Sequence, residues 1–273
     1  MTKPSFALRM ARAAIAGLLC ASMALIGQAA AHAADVRVLA SVSLTSVLDE
    51  LAPGFERTSG NKVAVVYGVA AELKKRVLEG EAADVLILTR SAMEDLQKQN
   101  KLVPGSLTDV AHTPISVAVR AGAPKPDIGS VEALKRTLLA AHSITYPDPA
   151  IGAASGVYFA HVLDRLGLAE AVRAKTVLAK PQTGSPPTVV AKGDAELAVT
   201  EAAVIAKVSG VQLVGPLPGE LAFAVTLAAG VGADSTSPKA AESFIQFFKG
   251  PAAVPVLRAK GFEPGSDKVG GPA

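Results

Sequence analysis

Short apolar runs alternate in this chain with segments whose apolar residues recur at helical spacing. Residues 36–40, 63–67 and 85–89 are the first three apolar runs, and the segments 44–55 and 70–78 between them place their apolar side chains on one face. This alternation is typical of strand–helix–strand units, in which helices cover a largely parallel sheet. The rhythm resumes after residue 115. We therefore predict an α/β fold with a mixed, mostly parallel sheet and helices on both faces.

Cysteine usage removes several kinds of chemistry. The only cysteine, Cys20, lies near the N-terminus, so the rest of the chain contains no disulfide, thiolate metal site or thiol nucleophile. Aromatic residues make up only 4% and Trp is absent, which leaves Ala, Val, Leu and Ile to build the core. Three further histidines, His112, His142 and His161, lack metal-ligand spacing. We predict neither a metal site nor a cofactor.

The first 33 residues have the pattern of a secretory signal. A basic stretch ends at Arg12, an apolar run covers residues 13–27, and Ala31-His32-Ala33 is a small-x-small cleavage pattern. The run is shorter than the roughly 20 residues that cross a bilayer. We therefore predict a signal peptide over 1–33, cleaved near Ala33, and a periplasmic mature protein. Leu19 precedes Cys20 where a lipoprotein signal has a small residue, which argues against a lipid anchor.

The excess positive charge of the chain belongs to that segment. It holds three basic and no acidic residues, whereas the remaining chain carries 24 basic and 24 acidic side chains. A balanced surface lacks the basic footprint of a nucleic-acid-binding protein. No nucleic-acid partner is predicted.

Small and polar residues follow several predicted strands, at the turns that lead into helices. Ser43 follows the first strand, Gly68 and Ala70 follow the second, and Ser155 lies in a similar turn further on. Ligands of open α/β sheets bind beyond the carboxyl ends of strands, where helix N-termini present unpaired N–H groups. Ser43 and Ser155 are therefore candidate contacts to an anion, and the alternative is that both are ordinary helix N-caps.

The order of these motifs resembles that of the periplasmic molybdate-binding proteins of ABC importers. The segments that carry the resemblance are Ser43-Leu44-Thr45, Gly68 with Leu73, Gly80-Glu81-Ala82-Ala83-Asp84-Val85, Pro149 to Tyr158, Gly193-Asp194-Ala195-Glu196-Leu197, Phe247-Phe248-Lys249-Gly250-Pro251-Ala252-Ala253 and Lys260-Gly261-Phe262. The resemblance implies a type II periplasmic binding protein, in which two α/β lobes joined by two crossing strands close over a ligand. It also implies a small anionic ligand, the membrane permease of an ABC transporter as a partner, and a monomer.

The lobe boundaries follow from the expected crossings near Thr113-Pro114 and Leu217-Pro218. The first lobe would comprise residues 34–115 and 222–262, and the second lobe residues 116–221. Residues 263–273 form a Gly/Pro-rich tail.

The resemblance also assigns ligand-binding positions. The family's oxyanion contacts fall on Ser43, Ala70, Ser155, Thr183 and Glu201. A serine hydroxyl of the family is missing at Ala70, and Glu201 stands where the family has a tyrosine. Because an ionised glutamate repels a dianion, we predict that molybdate is not the chief ligand.

Arg90 ends the third predicted strand, so we expect it at the cleft, where a guanidinium suits a planar carboxylate. The alternative is a solvated arginine at a helix start. Together, Arg90 and Glu201 would form a lobe-closing ion pair, or else a carboxylate-binding and proton-transfer pair. The second arrangement resembles periplasmic aconitate isomerases, which shift a proton on a tricarboxylate. Since no catalytic motif is complete, the main hypothesis is a solute-binding protein, with Arg90 and Glu201 catalytic only in the isomerase alternative.

Overall fold

The computed structural model describes residues 35–265. The predicted signal segment 1–33 and the end of the predicted tail lie outside the described residues. Within them ten strands are present: β1 Asp35–Ser41, β2 Lys62–Gly68, β3 Val85–Thr89, β4 Thr108–Arg120, β5 Ile144–Pro147, β6 Thr176–Ala179, β7 Leu197–Glu201, β8 Val211–Pro216, β9 Ala224–Val231 and β10 Glu263–Pro264.

Ten α-helices connect these strands within the described residues. They are α1 Thr45–Ser59, α2 Ala70–Leu78, α3 Arg90–Lys98, α4 Val131–Ala140, α5 Ala154–Arg165, α6 Ala169–Arg173, α7 Pro186–Lys192, α8 Ala202–Ile205, α9 Pro238–Lys249 and α10 Ala253–Ala259. Short 3-10 turns cover Val42–Leu44, Pro149–Ile151 and Gly219–Leu221. In the described part of the chain, no helix is both long enough and apolar enough to span a bilayer.

The strands form one mixed sheet in the order β2-β1-β3-β9-β4-β7-β5-β6, with β8 and β10 also pairing with β4. The ladders β1–β2, β1–β3, β5–β6 and β5–β7 are parallel. Every antiparallel ladder includes β4 or β9. The parallel ladders thus belong to the strand–helix repeats, one strand of which, β6, is not predicted from the sequence, and every antiparallel ladder involves one of the two strands that join the repeats.

Strand β4 changes its partners halfway along its length. Up to Pro114 it pairs with β9, and from Ile115 it pairs with β7 and β8. Proline has no N–H to donate to a ladder, so it is tolerated where the pairing changes. The sequence predicts a break at Pro114 and a strand from Ile115, whereas the strand begins at Thr108. The lobe boundaries predicted from this region stay a prediction.

Helix α1 shows how the apolar pattern becomes the core. Its residues Val47, Leu48, Leu51 and Phe55 are buried, as their spacing predicts. The Phe55 ring packs edge-to-face on two phenylalanines of α9, with ring centroids 5.1 and 5.7 Å apart. The helix continues through Pro53, where the sequence predicts a kink or a shorter helix.

The helix that follows β3 begins differently from its prediction. Ser91 and Glu94 are expected to form a capping box, but α3 begins at Arg90 and no side chain caps it. Glu94 Oε1 instead accepts a hydrogen bond from Arg90 Nε at 2.8 Å. The glutamate is therefore engaged by the arginine rather than by the helix terminus.

A buried carboxylate, Asp84, ties the start of β3 to distant parts of the chain. It accepts hydrogen bonds from Arg37 N at 2.8 Å, Ser235 Oγ at 2.6 Å, and the backbone N–H groups of Thr236 and Ser237 at 3.0 and 3.1 Å. Burial raises the pKa of Asp84, but these hydrogen bonds outweigh burial and hold its pKa below the ordinary value of 3.8. The ionised carboxylate therefore joins β1 and β3 to the turn before α9.

We predict that Asp84→Asn lowers the free energy of unfolding by about 1 to 3 kcal/mol, because an amide group supplies a donor where only acceptors are needed. A carboxylate with a depressed native pKa stabilises the fold above its unfolded pKa and loses that effect as the pH falls through the native value. Urea unfolding should thus show the largest difference between the two proteins above about pH 4 and a shrinking one below it.

The matched control is Asp234→Asn, an exposed aspartate in the same turn. It should change stability by less than about 0.5 kcal/mol. Equal stability losses for the two variants would contradict the role assigned to Asp84.

Candidate functional site

A cavity of about 420 Å³ lies where the carboxyl ends of six strands converge. Each of these strands contributes residues at or next to its end: Ser41 and Val42 from β1, Gly68 and Val69 from β2, Thr89 from β3, Pro147 from β5, Ala179 and Lys180 from β6, and Thr200 and Glu201 from β7. Residues of both parallel strand groups thus line one space. The location agrees with the rule that ligands of such sheets bind beyond the strand carboxyl ends.

Four of the six residues predicted from the sequence line this cavity. They are Ser43, Ala70, Ser155 and Glu201. Ser43 and Ala70 are each 8% exposed and Ser155 is 1% exposed, so their backbones form its inner wall. The structure therefore brings together residues that are up to 158 positions apart in the chain.

The two serines do not cap helices. Ser43 Oγ lies 3.1 Å from Ser41 Oγ, and Ser155 Oγ lies 3.4 Å from Thr200 Oγ1. Thr200 Oγ1 in turn donates to Glu201 Oε2 at 3.0 Å. The alternative that Ser43 and Ser155 are ordinary N-caps is therefore wrong, and both hydroxyls belong to short hydrogen-bonded chains at the cavity wall.

Several helices begin at this wall without a side-chain cap, and in two of them, α2 and α5, the N-cap residue is apolar. The N-cap positions of α2 and α5 are Val69 and Ala153, whose side chains have no acceptor. The first N–H groups of a helix have no partner within the helix and carry its partial positive charge. Together with the Ser43 and Ser155 hydroxyls, they are donors suited to an anion.

Gly156 allows α5 to approach the end of β5 closely. A Cβ atom at this position would lie 2.2 Å from the carbonyl oxygen of Pro147. Only glycine fits there, and its neighbour Ser155 is thereby held against Thr200 of β7. The packing of a backbone on a backbone thus fixes one side of the cavity.

Thr183 and Arg90 lie elsewhere. Thr183 is exposed, and its hydroxyl bonds the backbone of Lys180, accepting from its N–H at 2.8 Å. Arg90 lines a neighbouring depression beside Phe223, with Nε 2.8 Å from Glu94 and Nη1 2.7 Å from Asp109. The predicted pairing of Arg90 with Glu201 does not form, because Glu94 and Asp109 already engage the guanidinium and raise its pKa.

The cation that does line the cavity is Lys180, which was not among the residues predicted from the sequence. It directly follows β6, and its Nζ lies 3.6 Å from Asp148 Oδ2. The only signal for Lys180 in the sequence is the strand before it, Thr176–Ala179, which is too short to predict from its apolar pattern. With Glu72 and Glu201, Lys180 supplies the charged side chains of the wall.

Two tyrosines that could have supplied hydroxyl donors are engaged away from the cavity. The Tyr67 hydroxyl donates to Asp49 Oδ1 at 2.8 Å, and the Tyr158 hydroxyl donates to the carbonyl of Leu221 at 3.2 Å. Tyr158 also stacks on Phe223, with ring centroids 4.3 Å apart. Both rings therefore have packing roles, and the donors of the cavity are serine and threonine hydroxyls, backbone N–H groups and one ammonium.

The sequence matches known proteins over nearly all of the described residues. The family model described as "Bacterial extracellular solute-binding protein" matches residues 36–263. An aconitate isomerase of Pseudomonas sp. is 29% identical over 262 residues, which cover 94% of this chain and 97% of that protein. The molybdate-binding protein ModA of Azotobacter vinelandii is 28% identical over 238 residues, which cover 85% and 91% of the two chains.

A solved structure confirms the fold. The periplasmic molybdate-binding protein of Azotobacter vinelandii superposes with a TM-score of 0.67 at 22% identity, covering 83% of this chain and 98% of that one. The predicted fold class, that of a type II periplasmic binding protein, is thereby confirmed. The roles predicted for individual site residues stay predictions.

We predict that Gly156→Ala lowers the free energy of unfolding by about 1 to 3 kcal/mol, because the added methyl group must displace the Pro147 carbonyl or the start of α5. Thermal unfolding checks the stability. The control is Gly215→Ala, where a Cβ would meet only Ile128 Cδ1 at 3.6 Å. Unchanged stability of Gly156→Ala would show that α5 can move away from β5 freely.

Proposed function

The chain belongs to the bacterial extracellular solute-binding protein family, and on that premise we propose that it binds a small anion in the cavity and delivers it to the membrane permease of a periplasmic ABC importer. The observation that carries the proposal is the convergence of donors at the strand ends. One space is lined by the uncapped N-termini of α2 and α5 and by Ser43, Ser155 and Lys180. An anion would satisfy N–H groups that the fold leaves without a helical partner.

The charges of the wall favour a carboxylate over a tetrahedral oxyanion. Lys180 offers a counter-charge, whereas Glu201 offers an acceptor next to the Thr200 hydroxyl. A ligand that carries both carboxylate and hydroxyl groups can pair its carboxylate with Lys180 and donate its hydroxyl proton to Glu201. A dianion without donors meets the Glu201 charge and has no proton to donate to it, and Ala70 lacks the hydroxyl that the resemblance would place there.

We predict that calorimetric titration shows tighter binding of citrate than of molybdate. Two unit charges about 4 Å apart interact by about 4 kcal/mol at an effective dielectric of 20, and citrate can offset its repulsion from an ionised Glu201 by donating its hydroxyl proton, whereas molybdate has no proton to donate. Glu201→Gln should therefore raise the affinity for molybdate at least ten-fold. Submicromolar binding of molybdate by the unmutated protein would contradict the prediction.

Glu220→Gln serves as the control for this titration. Glu220 is exposed in the Gly219–Leu221 turn, away from the cavity wall, and it carries the same charge change. Its molybdate affinity should equal that of the unmutated protein. An equal gain in molybdate affinity in both variants would show that the effect comes from the net charge of the protein rather than from Glu201.

A second function is favoured by Glu201 and by one relative. Glu201 is a carboxylate at the cavity wall, hydrogen-bonded to a hydroxyl, and the relative named aconitate isomerase covers nearly the whole chain. In that alternative Glu201 removes and returns the proton that moves on the tricarboxylate, and Lys180 holds a carboxylate of the substrate. Lys180 takes the place that the sequence predicts for Arg90.

Incubation with cis-aconitate separates the two functions. We expect the protein to bind cis-aconitate without forming the trans isomer beyond the rate of a protein-free sample, as judged by proton NMR. Turnover that falls at least 100-fold in Glu201→Gln, with retained binding, would replace the transport role with the isomerase role.

A further inference from the structure

Lys207 contacts the turn that carries Ser43 from a groove next to the cavity. It follows α8, which begins directly after Glu201. Its Nζ donates a hydrogen bond to the carbonyl oxygen of Val42 at 2.9 Å. Val42 and Glu201 both line the cavity, so one short helix connects a wall residue of β7 to the turn after β1. The bond joins segments 165 residues apart in the chain.

The surroundings of Lys207 distinguish it from an ordinary surface lysine. Although the residue as a whole is exposed, burial lowers the pKa of its ammonium to about 8, against the opposite effect of Asp49 and Glu201. Asp49 is already bonded by the Tyr67 hydroxyl. The hydrogen-bond acceptor that Lys207 reaches is a backbone carbonyl rather than a carboxylate.

The groove that Lys207 lines also contains Asp49 and Lys260. Lys260 pairs with Glu50 at 3.2 Å, and the hydroxyl of Ser46 in the same groove is buried and has no hydrogen-bond partner among the described residues. Lys260 has its own carboxylate, and Lys207 is left to the Val42 carbonyl.

Holding the Val42 carbonyl orients the next N–H group. A trans peptide unit directs its C=O and its N–H to opposite sides, so a carbonyl that faces Lys207 turns the Ser43 N–H away from Lys207. Thr45 also donates to this carbonyl, through its backbone N–H and through its hydroxyl at 2.8 Å. The Thr45 donors belong to the same turn as Val42, whereas Lys207 belongs to the segment that follows β7 and α8.

We propose that Lys207 is a positioning residue of the anion site, which fixes the Val42–Ser43 peptide for ligand binding and ties it to the segment that carries Glu201. The inference rests on the proposed anion-binding function for its purpose, but the contact itself exists without a ligand. Its partner in function is Ser43, whose hydroxyl and N–H would touch the anion.

The test compares Lys207→Met with Lys207→Arg, which keeps a cationic donor, and with Lys239→Met, which removes an exposed lysine on α9. Hydrogen–deuterium exchange of the ligand-free proteins is measured first. We expect backbone amides of residues 42–48 to exchange about three- to ten-fold faster in Lys207→Met, with no change in β9. Lys207→Arg should restore most of the protection, and Lys239→Met should match the unmutated protein.

Titration with citrate, molybdate and sulfate is the second measurement. For any of these that binds, Lys207→Met should weaken the affinity about ten-fold and Lys207→Arg by much less. If none binds, the proposed anion-binding function fails, while the exchange data still decide the role of Lys207. Equal exchange of residues 42–48 in Lys207→Met and Lys239→Met would overturn the inference.

Discussion

Strand β4 is the constraint on which the rest of the structure depends. Its first half lies beside the strand group β1, β2, β3 and β9, and its second half beside the strand group β5, β6, β7 and β8 of the same sheet. Because one continuous backbone serves both strand groups, the register of one fixes the position of the other. The carboxyl ends of two separate parallel groups therefore meet around a single cavity. The residues that line this cavity come from segments that are far apart in the sequence.

Hydroxyl groups supply most of the hydrogen-bonding side chains in the cavity wall. Ser41 with Ser43, and Ser155 with Thr200 and Glu201, form two short hydrogen-bonded chains. A hydroxyl can turn to present either its proton or its lone pairs. The wall can therefore adapt to ligands that differ in protonation.

The sequence predicted those features that depend on local pattern. The turns that carry Ser43, Ala70 and Ser155 follow from the strand–helix pattern, because a parallel sheet gathers its carboxyl ends on one edge. Glu201, in contrast, is a prediction of the family resemblance. Lys180 was missed because β6 has four residues with only Ala179 fully buried, which leaves little apolar signal. The direction of Arg90 could not be found, since it is set by Asp109, a partner on β4 that no local pattern connects to it. Local pattern and the family resemblance together thus predict four of the wall positions but not the pairing of charges.

The close contact of Gly156 with Pro147 shows that the backbone of such a site is harder to change than its side chains. The backbone that offers N–H groups leaves no space for even one methyl group. The side chains of Lys180 and Glu201 at the strand ends, in contrast, are exposed and half-buried and have more space around them. New ligand preferences in a lineage of such proteins would accordingly arise by exchange at positions such as Lys180 and Glu201, while the backbone that offers the N–H groups stays unchanged.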